Sequence, residues 1–274
     1  MFVSALRVYP VKSTRGFDLD EAVVEPWGIE HDRRWMLLDP DGANVTARVE
    51  HALLTVSPVL QPDGLTLRAP GRPDLSVPRP VDGVLVATQL SRIDEVVDAG
   101  DPAAEWFTAL LGRPVRLVWQ DDPRRREVGA KHGGLEGDAV SLADTAPLLL
   151  TTTTSLAQLN DWVAETAAER GEPVPDALAM NRFRPNVVVE AAPIPFAEDG
   201  WNRLRIGELD FRAAELCDRC VLTTVEPDTL AKGKEPIRTL ARHRRWDGAV
   251  WFGLRLIPET TGVLRIGDSV TVQD

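Results

Sequence analysis

Cysteine is scarce: the 274-residue chain has two, Cys217 and Cys220. Two cannot make a disulfide framework, so the sequence suits a reducing compartment. They cannot fill a tetrahedral zinc site either, and no histidine stands within a few residues to complete one. No cysteine cluster exists to hold an iron–sulfur centre. The four histidines, His31, His51, His132 and His243, are scattered, and none is marked as a base. Long apolar runs are missing as well. No stretch reaches the roughly 18 apolar residues of a membrane helix. The opening Met1–Pro10 is too quickly interrupted to be an export signal and alternates as a strand does. A cytoplasmic protein without membrane contact is the expectation. Positive charge is in deficit, 31 Lys and Arg against 42 Asp and Glu, a net charge of -11. That excludes general nucleic-acid binding, which needs a basic face for the phosphates. No GxGxxG or P-loop pattern is present, so nucleotide sites of those kinds are unsupported.

What remains is enough for a substantial core. At 43% hydrophobic the chain suits one large or two ordinary domains. Short strand-like pieces dominate, punctuated by Pro and Gly. Arg34–Leu38, the tetrad Asp39-Pro40-Asp41-Gly42 and Asn44–Arg48 read as a β-hairpin. Further strands are predicted at Leu53–Pro58, Leu65–Ala69, Val84–Leu90, Val115–Trp119, Val187–Glu190, Arg203–Ile206, Leu209–Ala213, Ala249–Ile257 and Val263–Val272. Asp101–Gly112, with an N-cap Asp, a following Pro and a closing Gly, predicts a short helix. Thr154–Arg170 has helical spacing, with Leu156, Leu159, Trp162 and Val163 on one stripe. A last helix is predicted over Pro236–Arg245. The Gly-rich stretch 121–138 reads as an irregular junction or lid. The fold class that follows is α+β and β-rich, strands closing into barrels or sandwiches with helices outside.

The two cysteines flank an arginine in Cys217-Asp218-Arg219-Cys220. A neighbouring cation favours the thiolate, which is the form that ligates soft and transition metals. A pair of small buried residues is the plain alternative. Four segments in order decide between these. Tyr9-Pro10-Val11-Lys12-Ser13, His31-Asp32-Arg33-Arg34-Trp35, Phe183-Arg184-Pro185-Asn186, and Cys217–Cys220 followed by Thr223-Thr224-Val225-Glu226-Pro227-Asp228 resemble the MOSC proteins. With Phe252-Gly253 and Ile266-Gly267-Asp268 they are similar to the mitochondrial amidoxime-reducing component and its bacterial relatives. The resemblance runs from Tyr9 to about Asp268.

The resemblance implies a MOSC N-terminal β-barrel-like domain over 1–120, packed on a MOSC β-barrel domain over 121–274, with strands up to about residue 33 joining the latter. It implies a molybdenum-pyranopterin cofactor with Cys220 as the metal ligand and the catalytic centre, and Cys217 as a packed neighbour. Cofactor contacts carry over to Lys12, Ser13, Arg33, Arg184, Asn186 and the Arg219–Cys220 backbone. Thr152, at a predicted strand-to-helix turn, is a further donor. A compact ammonium and planar guanidinium forks suit a phosphate and pterin oxygens. The implied activity is reduction of N-hydroxylated compounds, such as amidoximes, hydroxylamines and N-hydroxylated bases. Electrons would come from a separate protein, a ferredoxin, flavodoxin or flavin reductase, reaching a monomer. The basic runs Arg124–Arg126 and Arg242–Arg245 read as solvated loops or as docking sites for an acidic donor. Three alternatives stand beside this: a sulfur carrier with a persulfide on Cys220, a non-enzymatic cofactor-binding module, and a thiol–disulfide protein. Leu230 departs from the family pattern, standing where relatives often have Gly after Pro-Asp-Thr.

Overall fold

The computed structural model describes residues 1–273. It is an α+β, β-rich protein whose chain divides into two compact units. The first holds residues 1–7, 18–30 and 146–274; the second holds 8–17 and 31–145. Residues 121–145, grouped above with the C-terminal domain, thus belong to the second unit.

In the first unit the main sheet runs in the order Phe17–Leu19, Phe2–Val8, Val187–Glu190, Leu148–Thr152, Ala249–Pro258, Leu209–Asp218, Arg203–Ile206, Val270–Gln273. The strands Leu148–Thr152 and Leu209–Asp218 flank Ala249–Pro258, and both are antiparallel to it. They therefore run in the same direction, and their last residues, Thr152 and Asp218, lie at one end of the sheet. Two strand spacings separate them, about 10 Å. Two register shifts, at Ala213/Glu215 and Leu216/Asp218, bend the long Leu209–Asp218 strand as it approaches the cysteines; such bulges re-aim a strand end.

Helix α2, Thr153–Glu169, covers this sheet. Its Leu159 and Val163 are buried in a cluster with Leu178, Phe183, Leu240 and Phe252, and Leu156 and Trp162 pack against it. The expected stripe is present for the expected reason: apolar residues at three- and four-residue spacing face the sheet. Helix α3 spans Ile237–His243. Gly253, in the central strand, has φ +88, and a Cβ there would meet the Leu150 carbonyl oxygen at 2.8 Å. Only glycine satisfies both conditions.

The second unit has a five-stranded sheet in the order Leu85–Ala87, Glu95–Asp98, Arg116–Trp119, Trp35–Leu38, Asn44–Val45, and a three-stranded meander, Ser57–Gln61, Gly64–Arg68, Leu75–Pro78. Met36, Leu38, Ile93, Val96, Val118 and Leu142 form one of its cores. The predicted hairpin pairs Leu37 with Val45 around Gly42 at φ +82. Helix α1, Asp101–Leu111, ends at a left-handed Gly112, as expected, but its N-cap is Gly100, not Asp101.

Other expectations are corrected. His51–Thr55 is a 3-10 turn and the strand begins at Ser57. Leu53 and Leu54 are both buried, which an alternating half-buried strand does not allow. The Val263–Val272 strand is two strands: Gly262–Arg265 pairs with Glu21–Glu25, and Val270–Gln273 with Arg203–Ile206. Gly267 at φ +90, with Arg265 N–H donating to Asp268 Oδ2, turns the chain between them. The 121–138 stretch is no lid. Arg126 and Val128 are buried within the second unit, and Val128 N–H donates to the Asp138 carbonyl.

Candidate functional site

Cys220 is half-buried just beyond the bulged end of its strand, at the start of a 3-10 turn over Val221–Thr224. Cys217 is buried, and neither cysteine is in a disulfide. Arg219, between them, is turned inward. Its Nη1 donates to Cys217 Sγ at 2.8 Å and its Nη2 to the Phe183 carbonyl at 2.7 Å. Its Nε is buried and has no hydrogen-bond partner among the described residues. Its backbone N–H donates to the Val250 carbonyl at 2.8 Å, which fixes the segment on the central strand.

The Phe183–Asn186 segment is tied to the cysteine segment. The turn Met180–Phe183 packs on Val221–Thr224, and Arg182 reaches across to Glu226 at 2.8 Å and to the Thr223 carbonyl at 3.4 Å. Arg184 closes that turn in the left-handed region at φ 56. Asn186 is buried. Its Nδ2 donates to the Arg7 carbonyl at 3.1 Å, and its Oδ1 accepts from Leu149 N–H at 3.2 Å. Its backbone also pairs with both residues. The amide is a strut between two strands, each end of its side chain engaged by a neighbouring backbone.

Thr152, fully buried, is the N-cap of α2 and accepts from Ser155 N–H at 3.1 Å, a standard local use of a threonine. Its hydroxyl lies 2.7 Å from Ser155 Oγ, and Ser155 Oγ lies 2.9 Å from Glu198 Oε2. Glu198 is fully buried, and burial pushes its carboxyl pKa up, against the hydrogen bonds it accepts from its own backbone and Ser155.

Lys12, Ser13 and Arg33 gather in the second unit. Lys12 Nζ, buried, donates to the Leu142 carbonyl at 2.8 Å and to Asp144 Oδ1 at 2.6 Å. Burial lowers its pKa, and Asp144 opposes that. Arg48 holds the other Asp144 oxygen at 2.8 Å. Arg33 lies over the Tyr9 ring, 4.5 Å from its centroid, and pairs with Asp32, which also accepts from Tyr9 N–H at 2.8 Å. Nine non-glycine residues among those described stand at positive φ, and Ser13, Arg33 and Arg184 are three of them. Such conformations cost free energy and collect at ligand sites.

Sequence reasoning missed Asp144, Arg126 and Glu198. Asp144 carried no pattern of its own. Arg126 sat in a run read as a solvated loop. It is buried and donates to the carbonyls of Ser91, Ser141, Ala143 and Asp144, which braces the loop that seats Lys12. Glu198 lies in Ala197-Glu198-Asp199-Gly200, which has the composition of an exposed acidic turn.

Fold and site define a β-rich α+β protein with half-buried Cys220 at a sheet end, preceded in sequence by Arg219, whose guanidinium is held on Cys217 and the Phe183 carbonyl. Residues 1–114 match the MOSC N-terminal beta barrel domain and residues 137–271 the MOSC domain. The chain is 31% identical to mitochondrial amidoxime-reducing component 1 of Homo sapiens and 33% identical to mitochondrial amidoxime reducing component 2 of Bos taurus, in each case over 98% of this chain and 82% of the relative. It is also 31% identical to molybdenum cofactor sulfurase of Danio rerio, over 97% of this chain and 33% of that protein. The chain belongs to the MOSC family.

Proposed function

We propose that the chain is a molybdenum-cofactor-dependent reductase of N-hydroxylated compounds, with Cys220 as the protein ligand to molybdenum. The observation that carries it is the Cys220 segment. Half-buried Cys220 directly follows Arg219 in sequence, and the buried Nε of Arg219 has no hydrogen-bond partner among the described residues. Among the described residues, no group of three His, Cys, Asp or Glu could hold a bare metal ion. A metal at Cys220 must bring its other ligands with it, as a pyranopterin dithiolene does. Soft thiolate and an idle guanidinium N–H fit that group. Bound there, it would supply a centre that accepts oxygen and changes oxidation state, while the protein orients it and tunes its charge.

The reaction is R–NHOH + 2e⁻ + 2H⁺ → R–NH₂ + H₂O. Cys220 would hold the metal, and Arg184 and Arg219 would anchor anionic or pterin oxygens. The resemblance assigns contacts to Lys12, Ser13 and Arg33 as well. Asn186 sets the strand that follows Arg184, and Thr152 sets the start of α2. The electrons come from a separate ferredoxin, flavodoxin or flavin reductase. The relatives named for amidoxime reduction support this reading, and the protein is taken to act as a cytoplasmic monomer.

The test is metal analysis of the purified chain together with dye-driven reduction of benzamidoxime and hydroxylaminopurine. The expected result is molybdenum near one per chain, lost in Cys220→Ala, and turnover of at least one substrate. Persulfide on Cys220 without molybdenum would establish the sulfur carrier. Bound cofactor with no turnover would establish the binding module.

A further inference from the structure

The strand Ala249–Pro258 carries the cysteine segment on one side and the short strand Arg245–Trp246 on the other. Trp251 is the register partner of Asp218. Arg219 N–H donates to the Val250 carbonyl at 2.8 Å, which carries the pairing one residue further. Cys220, in extended backbone at φ -101 and ψ 173, therefore comes alongside Ala249. On its other side Ala249 is the partner of Trp246. Trp246, Ala249 and Cys220 thus form one row across three strands, with only a methyl group between the indole and the thiol. Two strand spacings, about 10 Å, separate the backbones at the ends of the row. Alternation places Trp251 on the same face as Ala249, and Trp246 joins it there. The two indoles stack with centroids 6.0 Å apart and planes at 29°. The same alternation returns Cys220 to the face of Asp218, which Trp251 shares as its register partner.

We propose that Trp246 and Trp251 form an aromatic platform beside Cys220 that stacks the ring of the substrate, and so selects planar aromatic N-hydroxylated compounds over aliphatic ones. The inference rests on the reductase reading above.

The platform is accessible. Trp246 keeps 38% of its surface exposed after stacking, and Val221, directly after Cys220, is 43% exposed. Trp251 is half-buried. Apolar surface gathered next to a reactive side chain marks a binding region more than a scattered side chain does.

The platform is also fixed in advance. The Arg244 guanidinium lies 4.9 Å from the Trp246 ring centroid and 4.1 Å from that of Phe196. Arg244 is itself buried and pairs with Asp199 at 2.6 Å. Asp247 and Gly248, at φ 50 and 78, make the two-residue turn that closes the hairpin. Rings ordered before binding lose little freedom when a ligand arrives. Trp251 Nε1–H donates to the Trp246 carbonyl at 3.1 Å. That polar group is spent within the hairpin, so Trp251 offers carbon surface, which suits the face of another ring.

What is recognised is therefore the ring and not the N–OH group. A phenyl or purine ring against the indoles gains face contact that a methyl group cannot make. Its N–OH substituent then extends along the row toward Cys220. Stacking of this kind changes affinity on the order of tenfold. It holds the substrate without taking part in bond breaking, so it is read in KM.

The test compares benzamidoxime with acetamidoxime, which share the reacting group and differ in the ring. In molybdenum-loaded Trp251→Leu and Trp246→Leu, the kcat/KM of benzamidoxime relative to acetamidoxime should fall about tenfold, through KM. Trp251→Phe should restore most of that ratio. Independently of turnover, ligand-detected NMR should show wild type binding benzamidoxime more tightly than acetamidoxime, a preference lost in both leucine variants. An unchanged ratio in both variants overturns the platform. So does an equal loss for the two substrates, which marks a purely structural role. A change in sedimentation in Trp246→Leu with the ratio intact assigns the indoles to an interface between copies and overturns it as well. If Trp251→Leu fails to fold, Trp246→Leu, on the exposed strand, carries both measurements. A wild type that reduces neither substrate overturns the reductase reading, and the NMR preference then decides whether the indoles hold an aromatic ring.

Discussion

Asn186 shows how the chemistry of one side chain can suit more than one partner. An amide that donates and accepts suits a pterin edge, but it suits two neighbouring backbones equally well. Here Arg7 and Leu149 use both of its ends. Asn186→Ala should lower stability by about 2–4 kcal/mol in chemical denaturation, since a buried carbonyl and a buried N–H lose their partners. Asn186→Asp should do at least as much harm, because a carboxylate faces the Arg7 carbonyl where an NH₂ donated. A loss below 0.5 kcal/mol, an order-of-magnitude threshold for an ordinary surface change, would show that the amide is not the strut. Leu230 is instructive in another way. It stands at φ 59, a conformation glycine adopts without cost. Lys12 was recognisable because a cation within an ordered motif is visible as a letter; its partners Leu142 and Asp144 were not.

At the scale of elements, the cysteine segment owes its position to a bulged ten-residue strand held on Ala249–Pro258. Gly253 lies within that central strand, facing the end of Leu148–Thr152. Gly253→Ala should cost about 2–4 kcal/mol, because the backbone is at φ +88 and the added methyl meets the Leu150 carbonyl. A thermal melt of the variant checks this, and an unchanged midpoint would mean that the two strands can separate freely. The helices were legible because period and cap signals agree. The strand ends were less so. Leu209–Ala213 reads as five residues, yet pairing continues to Asp218, since bulges absorb the irregular Ala214–Leu216 stretch that breaks the alternation. The Val263–Val272 run reads as one strand because a Gly-Asp turn within it looks like the end of a strand only when its two halves have different partners.

Across the whole molecule the charge is -11, and the two basic runs are less basic than their letters suggest. Arg124 and Arg125 pair with Asp122 and Asp121, Arg242 pairs with Glu169, and Arg244 is buried against Asp199. Arg126 is interior. Arg124→Glu should leave the melting temperature within about 2 °C, as expected of an exposed pair. Arg126→Glu should prevent folding or remove most stability, because it places an acid among four carbonyls. Equal melts for the two variants would contradict the brace. No helix among the described residues is long and apolar enough to cross a membrane.

The sequence by itself determined the β-rich class, the positions of the main helices and the family. These depend on local period, turn chemistry and ordered motifs, all of which are written along the chain. Tertiary structure alone decided that Arg126 and Glu198 are buried, that Asp144 seats Lys12, and that Thr152 stands at the sheet end of the cysteines. Burial and partnership arise from residues far apart in sequence, and they change what a charged or polar side chain can do without changing its letter.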